Sequence, residues 1–342
     1  MNLGIDLGTS RTVIYAPGEG ILLDEPSVIA VSERDGSIVA CGTEAGEMLG
    51  RTPPSIVAVQ PVRKGVIAEY DMAEKMLRHF IRKVYANRIT KPCAAVSVTE
   101  RMTEVERRSF IEAVISAGAR RVTLVPETVA AAIGSGLDVS LPCGQMVVNI
   151  GGGTTDVSVL TLRGEAVSVS VRTAGDAVDD AIVRSVRARY GLLISPAMAE
   201  QVKIAIGSAV EPDAAVTAVV KGRDSLTGLP AARAVSAAEV YEAIEESLTV
   251  ILDAVRRALE ITPPELIGDV LVNGIYLTGG IAQMQGLAER IRRETGIDCR
   301  PAEDSSHCVA IGAGTALQYA ASFSEVYDLS GFQYHLSDTV TD

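Results

Sequence analysis

Apolar and polar positions along the chain follow two periods that alternate in blocks. Short β-branched runs such as "LGIDL", "CAAVSV", "RVTLV" and "GIYLT" read as buried strands. Between them lie stretches with apolar residues at helical spacing. "EVERRSFIEAVISAGA" from Glu104 reads as a helix that Gly118 stops, with Thr103 and Glu106 as a capping box of no functional consequence. "AVDDAIVRSVRARYG" from Ala177 and "SAAEVYEAIEESLTVILDAVRRALEIT" from Ser236 also read as helices, as does "IAQMQGLAERIRRETG" after the strand beginning at Gly274. Strands alternating with helices predict an α/β fold with largely parallel sheet cores. The last stretch, "SEVYDLSGFQYHLSDTVTD", has neither period and reads as a weakly ordered tail, residues 323–342.

One pattern occurs twice. "LGIDLGTSRTVIY" begins at Leu3 and "VVNIGGGTTDVSVL" at Val147. Each is a strand, a polar residue, an aliphatic residue, a glycine turn with Ser or Thr, and a second strand. Asp6 falls on Asn149 and Gly8 on Gly151. The chain therefore reads as two related halves, joined near "GLDVSLPCGQ". The expected division is 1–139, completed by 309–322, and 140–308. Smaller subdomains are expected near 29–65 and 177–245.

Composition narrows the partners. The 342 residues are 47% apolar but only 4% aromatic, with no Trp, so the cores must be aliphatic. A net charge of -12 argues against non-specific nucleic-acid binding. Cys41, Cys93, Cys143, Cys299 and Cys308 form no CxxC pair, and His79, His307 and His335 are dispersed. Neither a zinc site nor a disulfide framework is expected. No signal peptide and no membrane-spanning run is read from the chain, and the expected location is the cytoplasm.

Neither GxxxxGK[ST] nor a well-placed GxGxxG is present. The glycines instead sit in hairpin turns, where successive N–H groups form an anion-binding concavity. Two facing turns suit a polyphosphate. Thr9, Ser10, Thr154 and Thr155 add hydroxyls, and Asp6 is placed to hold a hydrated Mg²⁺. Read alone, either turn is as well explained as a plain hairpin closure. The pair, with a third glycine turn at Leu277–Gly280, favours nucleotide.

"GIDLGTS", "NIGGGTTDV" and "LTGG" resemble the actin, heat-shock chaperone and sugar kinase ATPase superfamily. "DEPSVIAV", "LGRTP", "GVIAEYDMAEKMLRHFIRKV", "TEVERRSF", "AAAIGSGL", "KIAIGSA", "GRDSLTGLP" and "TPPELIGDV" resemble the MreB and Mbl family of bacterial actin homologues, over roughly residues 3–320. The resemblance implies an actin-like ATPase fold, two duplicated α/β domains around a cleft for ATP and Mg²⁺. It implies self-association into head-to-tail, paired protofilaments that organise cell shape and cell-wall synthesis, with wall-synthesis membrane proteins as partners. At most a slow ATPase, with no metabolic substrate, is implied.

By position, Thr9, Ser10 and Arg11 match the first phosphate loop, and Gly151, Gly152, Gly153 and Thr154 the second. Glu200, Gln201, Val202 and Lys203 match the segment flanking adenosine, although Glu200 and Lys203 also read as a plain surface pair. Gly279, Gly280, Ile281 and Ala282 match the adenosine-side turn. Glu127 matches the residue that orients the attacking water, and Thr154 is its catalytic companion. A Glu in a first helical turn is also favourable without any catalytic role. Asp6, and through water Asn149, match the metal positions.

Four departures suggest a divergent paralogue. Asn149 stands where Asp is usual, Ile281 where a third Gly is usual, and Thr128 where Pro is usual. Arg11 replaces a small amide, and reads either as a phosphate contact or as a solvent-facing side chain. Asn149 offers Mg²⁺ less attraction than a carboxylate, so binding without hydrolysis, as a regulatory scaffold, is the alternative. A chaperone or kinase is disfavoured, because a substrate-binding extension and a sugar pocket are not recognisable. Membrane contact falls to "YANRITKPC", with Ile89 beside Arg88 and Lys91, or that stretch is an ordinary surface loop.

Overall fold

The computed structural model describes residues 2–85, 90–213 and 215–318, and two short segments, 326–328 and 333–334. The duplication is realised strand for strand. In the first sheet the order runs from Arg121–Pro126 through Cys93–Val98, Asn2–Leu7 and Arg11–Ala16 to Gly20–Pro26. In the second it runs from Cys299–Pro301 through Ile275–Thr278, Gln145–Ile150 and Thr155–Thr161 to Gly164–Val171. In both, the opening strand pairs antiparallel with the next and parallel with the one on its other side. Asp6 lies opposite Val13, and Asn149 opposite Asp156.

These strands are buried because their sequences leave them nothing else to do. Gln145–Ile150 is covered along its whole length, as a parallel-sheet strand without a wet face must be. Met146, Val148, Ile150, Val157 and Leu277 form an aliphatic core without help from aromatics. The predicted helices form at Glu104–Ala117, Gly175–Tyr190 and Ala237–Ile261. Thr103 and Ser236 each close a capping box, with Glu106 and Glu239. Smaller three-stranded sheets lie at 29–59 and 192–236.

Two readings differ. The helix read from Ile281 is broken, into a short 3-10 turn at Gly280–Gln283 and a helix at Leu287–Thr295. Gly286 between them is left-handed at φ 75°, and a Cβ there would lie 2.4 Å from Val210. Close approach of the segment carrying Val210 thus overrides helical period. In the segment read as tail, Val326–Asp328 pairs antiparallel with Arg121–Pro126, and Gln333–Tyr334 pairs with Val326–Asp328. The open edge of the sheet accepts these strands although their sequence lacks alternation.

Helices Glu127–Gly134 and Cys308–Ala316 pack where the two halves meet, with backbones almost touching. A Cβ on Gly134 would lie 1.8 Å from the Cys308 carbonyl oxygen, and one on Gly312 1.7 Å from that of Ala130. Glycine is required here for contact distance, and the first helix of the pair begins with Glu127, within hydrogen-bond distance of Asn149.

Candidate nucleotide site

Each glycine turn closes in the same way. Gly8 N–H donates to the Arg11 carbonyl at 3.1 Å, and Gly151 N–H to that of Thr154 at 3.0 Å. The turns then press on one another. A Cβ on Gly152 would lie 1.9 Å from Ser10 Oγ, and one on Gly153 2.5 Å from Thr9 Oγ1. Among the described residues, the N–H groups of Thr9, Ser10, Gly152 and Gly153 have no hydrogen-bond partner. Four such donors on two abutting turns are what a polyphosphate needs. Helix Gly175–Tyr190 begins on the second turn: Gly175 N–H donates to the Gly151 carbonyl at 3.1 Å, and Asp176 N–H to that of Gly152 at 2.8 Å. Ser10 Oγ donates to Asp176 Oδ1 at 3.3 Å, across the two halves.

Near the turns lie three carboxyls, Asp156 buried and Asp6 and Glu127 partly so. Asp6 accepts from Ser97 Oγ at 3.0 Å, and burial pushes its carboxyl up to about 6 against that bond and the His307 charge. Burial, and then the charges of Asp156 and Asp6, hold Glu127 well above the ordinary carboxyl range. Asp156 accepts from Thr99 Oγ1 at 2.8 Å, while its Oδ2 is buried with no partner among the described residues. Buried negative charge of this kind demands either protons or a cation. No three His, Cys, Asp or Glu side chains among the described residues enclose an ion.

Asn149 is 4% exposed, and both polar atoms of its amide are hydrogen-bonded. Its Nδ2 donates to Glu127 Oε2 at 3.1 Å, and its Oδ1 accepts from Thr278 Oγ1 at 3.1 Å. An ionised Asp could accept from Thr278 but could not donate to Glu127. The amide therefore fits an acid-rich neighbourhood without a metal, and retains one acceptor lone pair for a metal-bound water. Thr128 donates to Glu165, which also accepts from Ser158 Oγ at 2.7 Å. Burial and Glu100 push Glu165 up to about 7. The hydroxyl thus ties the turn carrying Glu127 to the second sheet.

Other positions divide. Lys203 Nζ lies 2.8 Å from Asp179 Oδ2 and 3.5 Å from the Gly175 carbonyl, facing the start of the helix that supports the second turn. It does not pair with Glu200. Glu200 and Gln201 are exposed and Val202 is core. Gly279 is left-handed at φ 83°, and a Cβ there would lie 2.2 Å from the Ile150 carbonyl oxygen. Gly280 faces open space, and Ile281 and Ala282 are buried. Ile281 Cδ1 lies 3.5 Å from where a Cβ on Gly175 would stand, so it packs against the start of helix Gly175–Tyr190. Arg11 faces Asp24, with Nε 2.6 Å from Oδ1, and is half exposed. Its carbonyl, not its guanidinium, serves the turn. Arg88 and Ile89 of the membrane-contact reading lie outside the described residues. No helix among the described residues is long and apolar enough to cross a membrane.

Asp156, Asp176, Asp179, Glu165 and Thr278 were not picked from the sequence. Only Asp156 carried a signal there, as a charge inside the apolar alternation of "TTDVSV".

The sequence profile of the MreB/Mbl protein family matches residues 1–325. The chain is 47% identical to the cell shape-determining protein MreB of Escherichia coli K12, over 93% of both chains. It is 41% identical to the cell shape-determining protein Mbl of Bacillus subtilis, over 92% of this chain and 95% of that one. Among solved structures, MreB5 of Spiroplasma citri superposes with a TM-score of 0.88 at 32% identity, covering 93% of this chain and 96% of that one, in structures bound to AMPPNP and to ADP.

Proposed function

The chain belongs to the MreB/Mbl protein family and has its actin-like α/β fold, and from that premise we propose a nucleotide-dependent cytoskeletal protein that organises cell shape. It self-associates head to tail, and acts in cell-wall synthesis at the inner membrane face. The cell-shape role is supported by its MreB and Mbl relatives, and nucleotide binding by the AMPPNP- and ADP-bound neighbours. The observation that carries the nucleotide reading is the pair of abutting turns with four unpartnered N–H donors.

Thr9, Ser10 and Gly151–Thr154 would hold the phosphates of ATP. Gly279–Ala282 and the helix carrying Lys203 would flank the nucleoside. Asp6 and, through water, Asn149 would hold Mg²⁺, which when bound supplies positive charge where phosphate charge builds up. In the empty protein burial and two acidic neighbours disfavour the charge of Glu127 and raise its pKa well above the ordinary carboxyl range. Ionised, it orients a water and accepts its proton. Asn149 fixes the carboxyl by its 3.1 Å hydrogen bond. Thr128 fixes the same helical turn from the other side.

Asn149 also supports the second reading, a scaffold that binds nucleotide and hydrolyses it weakly, since electrostatic alignment matters most in the transition state. Calorimetry with Mg²⁺-ATP tests the common ground. Gly152→Val drives a side chain into Ser10 and should abolish binding while far-UV circular dichroism stays unchanged. Unaltered affinity in that variant would remove the site assignment.

A further inference from the structure

Arg11, Asp24, His307 and Asp304 form one line of contacts beside the first turn. Arg11 Nε donates to Asp24 Oδ1 at 2.6 Å, and its Nη2 to the Asp24 carbonyl at 2.9 Å. His307 Nε2 lies 3.2 Å from Asp24 Oδ2, and its Nδ1 lies 2.8 Å from Asp304 Oδ1. Both ring nitrogens thus face carboxylates. A neutral imidazole has one N–H and would aim a lone pair at one of them, whereas an imidazolium donates to both.

The two ends of this line reach the two sides of the site. The Arg11 carbonyl closes the first turn by accepting from Gly8 N–H. The Ser305 carbonyl, next to Asp304, accepts from Gly279 N–H at 2.7 Å and so holds the adenosine-side turn. His307 stands between them, at the point where the chain leaves the second sheet to enter helix Cys308–Ala316.

We propose that His307 is a positioning residue. As an imidazolium it ties the first phosphate turn to the adenosine-side turn through Asp24 and Asp304. Affinity for a nucleoside polyphosphate therefore falls as His307 loses its proton. The proposal rests on the nucleotide reading above. A tie between turns that must act together reduces the ordering cost of binding, and a cation near a phosphate site acts in the same direction.

The charged groups facing His307 are Asp24 and Arg11 from the first sheet and Asp304 from its own loop, with Asp6 felt at longer range. Partial burial alone would lower the imidazole's pKa. The hydrogen bonds and charges of Asp24 and Asp304 outweigh it and hold the group above its ordinary value. A raised histidine stabilises the fold fully below about pH 6.5, and that contribution is lost as pH rises through the folded value.

The test compares the full chain with His307→Gln and Asp24→Asn from pH 6 to pH 8.5, with two readouts. Without nucleotide, the thermal stability of the parent relative to His307→Gln should shrink as pH rises. With Mg²⁺-ATP, parent affinity relative to His307→Gln should fall about threefold or more over that range, the scale of a partly exposed ion pair. Asp24→Asn should flatten both differences. If both differences are independent of pH, the tie does not exist and the proposal is overturned. A pH-dependent stability difference with pH-independent relative affinity overturns its coupling to the site. If stability behaves as stated but no protein binds ATP at any pH, the nucleotide reading fails while the tie stands.

Discussion

Replacing Asn149 by Asp keeps the volume and changes one donor into a second carboxyl, 3.1 Å from Glu127. Asn149 itself is 4% exposed and Glu127 partly buried, so water screens the pair only weakly. In the folded, empty variant the two groups must either hold both protons or bury a charge. The unfolded chain faces neither demand and ionises near pH 4. Above that pH the folded state retains a proton that the unfolded state has lost. Stability relative to the parent then falls by up to about 1.4 kcal/mol per pH unit, until the extra proton leaves. For a cooperative unit the size of one half of this chain, that is roughly 3–5 °C per unit. Thermal unfolding of parent and variant at pH 5, 6 and 7, without nucleotide, reads the widening gap. Mg²⁺-ATP should narrow it, because a cation meets the added charge. A gap that is the same at pH 5 and pH 7 would refute the facing of Asn149 and Glu127.

Three further outcomes follow from the same geometry. Asn149→Asp should raise phosphate release severalfold with a smaller change in ATP affinity, and adding Glu127→Ala should remove the gain; a phosphate-release assay decides it. Gly312→Ala forces a methyl to within 1.7 Å of the Ala130 carbonyl and should cost roughly 1–3 kcal/mol in thermal or denaturant unfolding. Gly268→Ala, in a helix with open space around it, should instead leave stability unchanged or raise it by up to about 1 kcal/mol in the same assay.

The duplication was legible because both halves repeat strand, turn and strand with the same glycine spacing, and the shared strand order follows from that repeat. The turns could be placed because glycine there has no other strong reason to recur. The cap of Thr103 with Glu106 was legible as well, since it acts within four residues; that of Ser236 with Glu239 has the same spacing but was not picked out. What the sequence hid is whatever depends on a distant partner. Gly286 looked like an ordinary glycine inside a helix, and only the approach of Val210 explains the break. Arg11 could have met a phosphate, and Asp24 on the adjoining strand claims it instead. Lys203 had a neighbour at the right helical spacing in Glu200, yet Asp179 from another helix takes its charge. Asn149 suggested a weakened metal site. Its use as donor to Glu127 and acceptor from Thr278 could not be inferred from spacing, because the three residues come from separate elements.

The central claim is that nucleotide held between the two turns governs assembly of this chain into filaments. Sedimentation with negative-stain electron microscopy of the purified protein, with Mg²⁺-ATP, with ADP and without nucleotide, tests it most directly. The parent should pellet as filaments above a threshold protein concentration with Mg²⁺-ATP, and Gly152→Val should stay in the supernatant. A parent that remains monomeric in every nucleotide state, including on lipid vesicles, would contradict the claim, as would a Gly152→Val variant that polymerises like the parent.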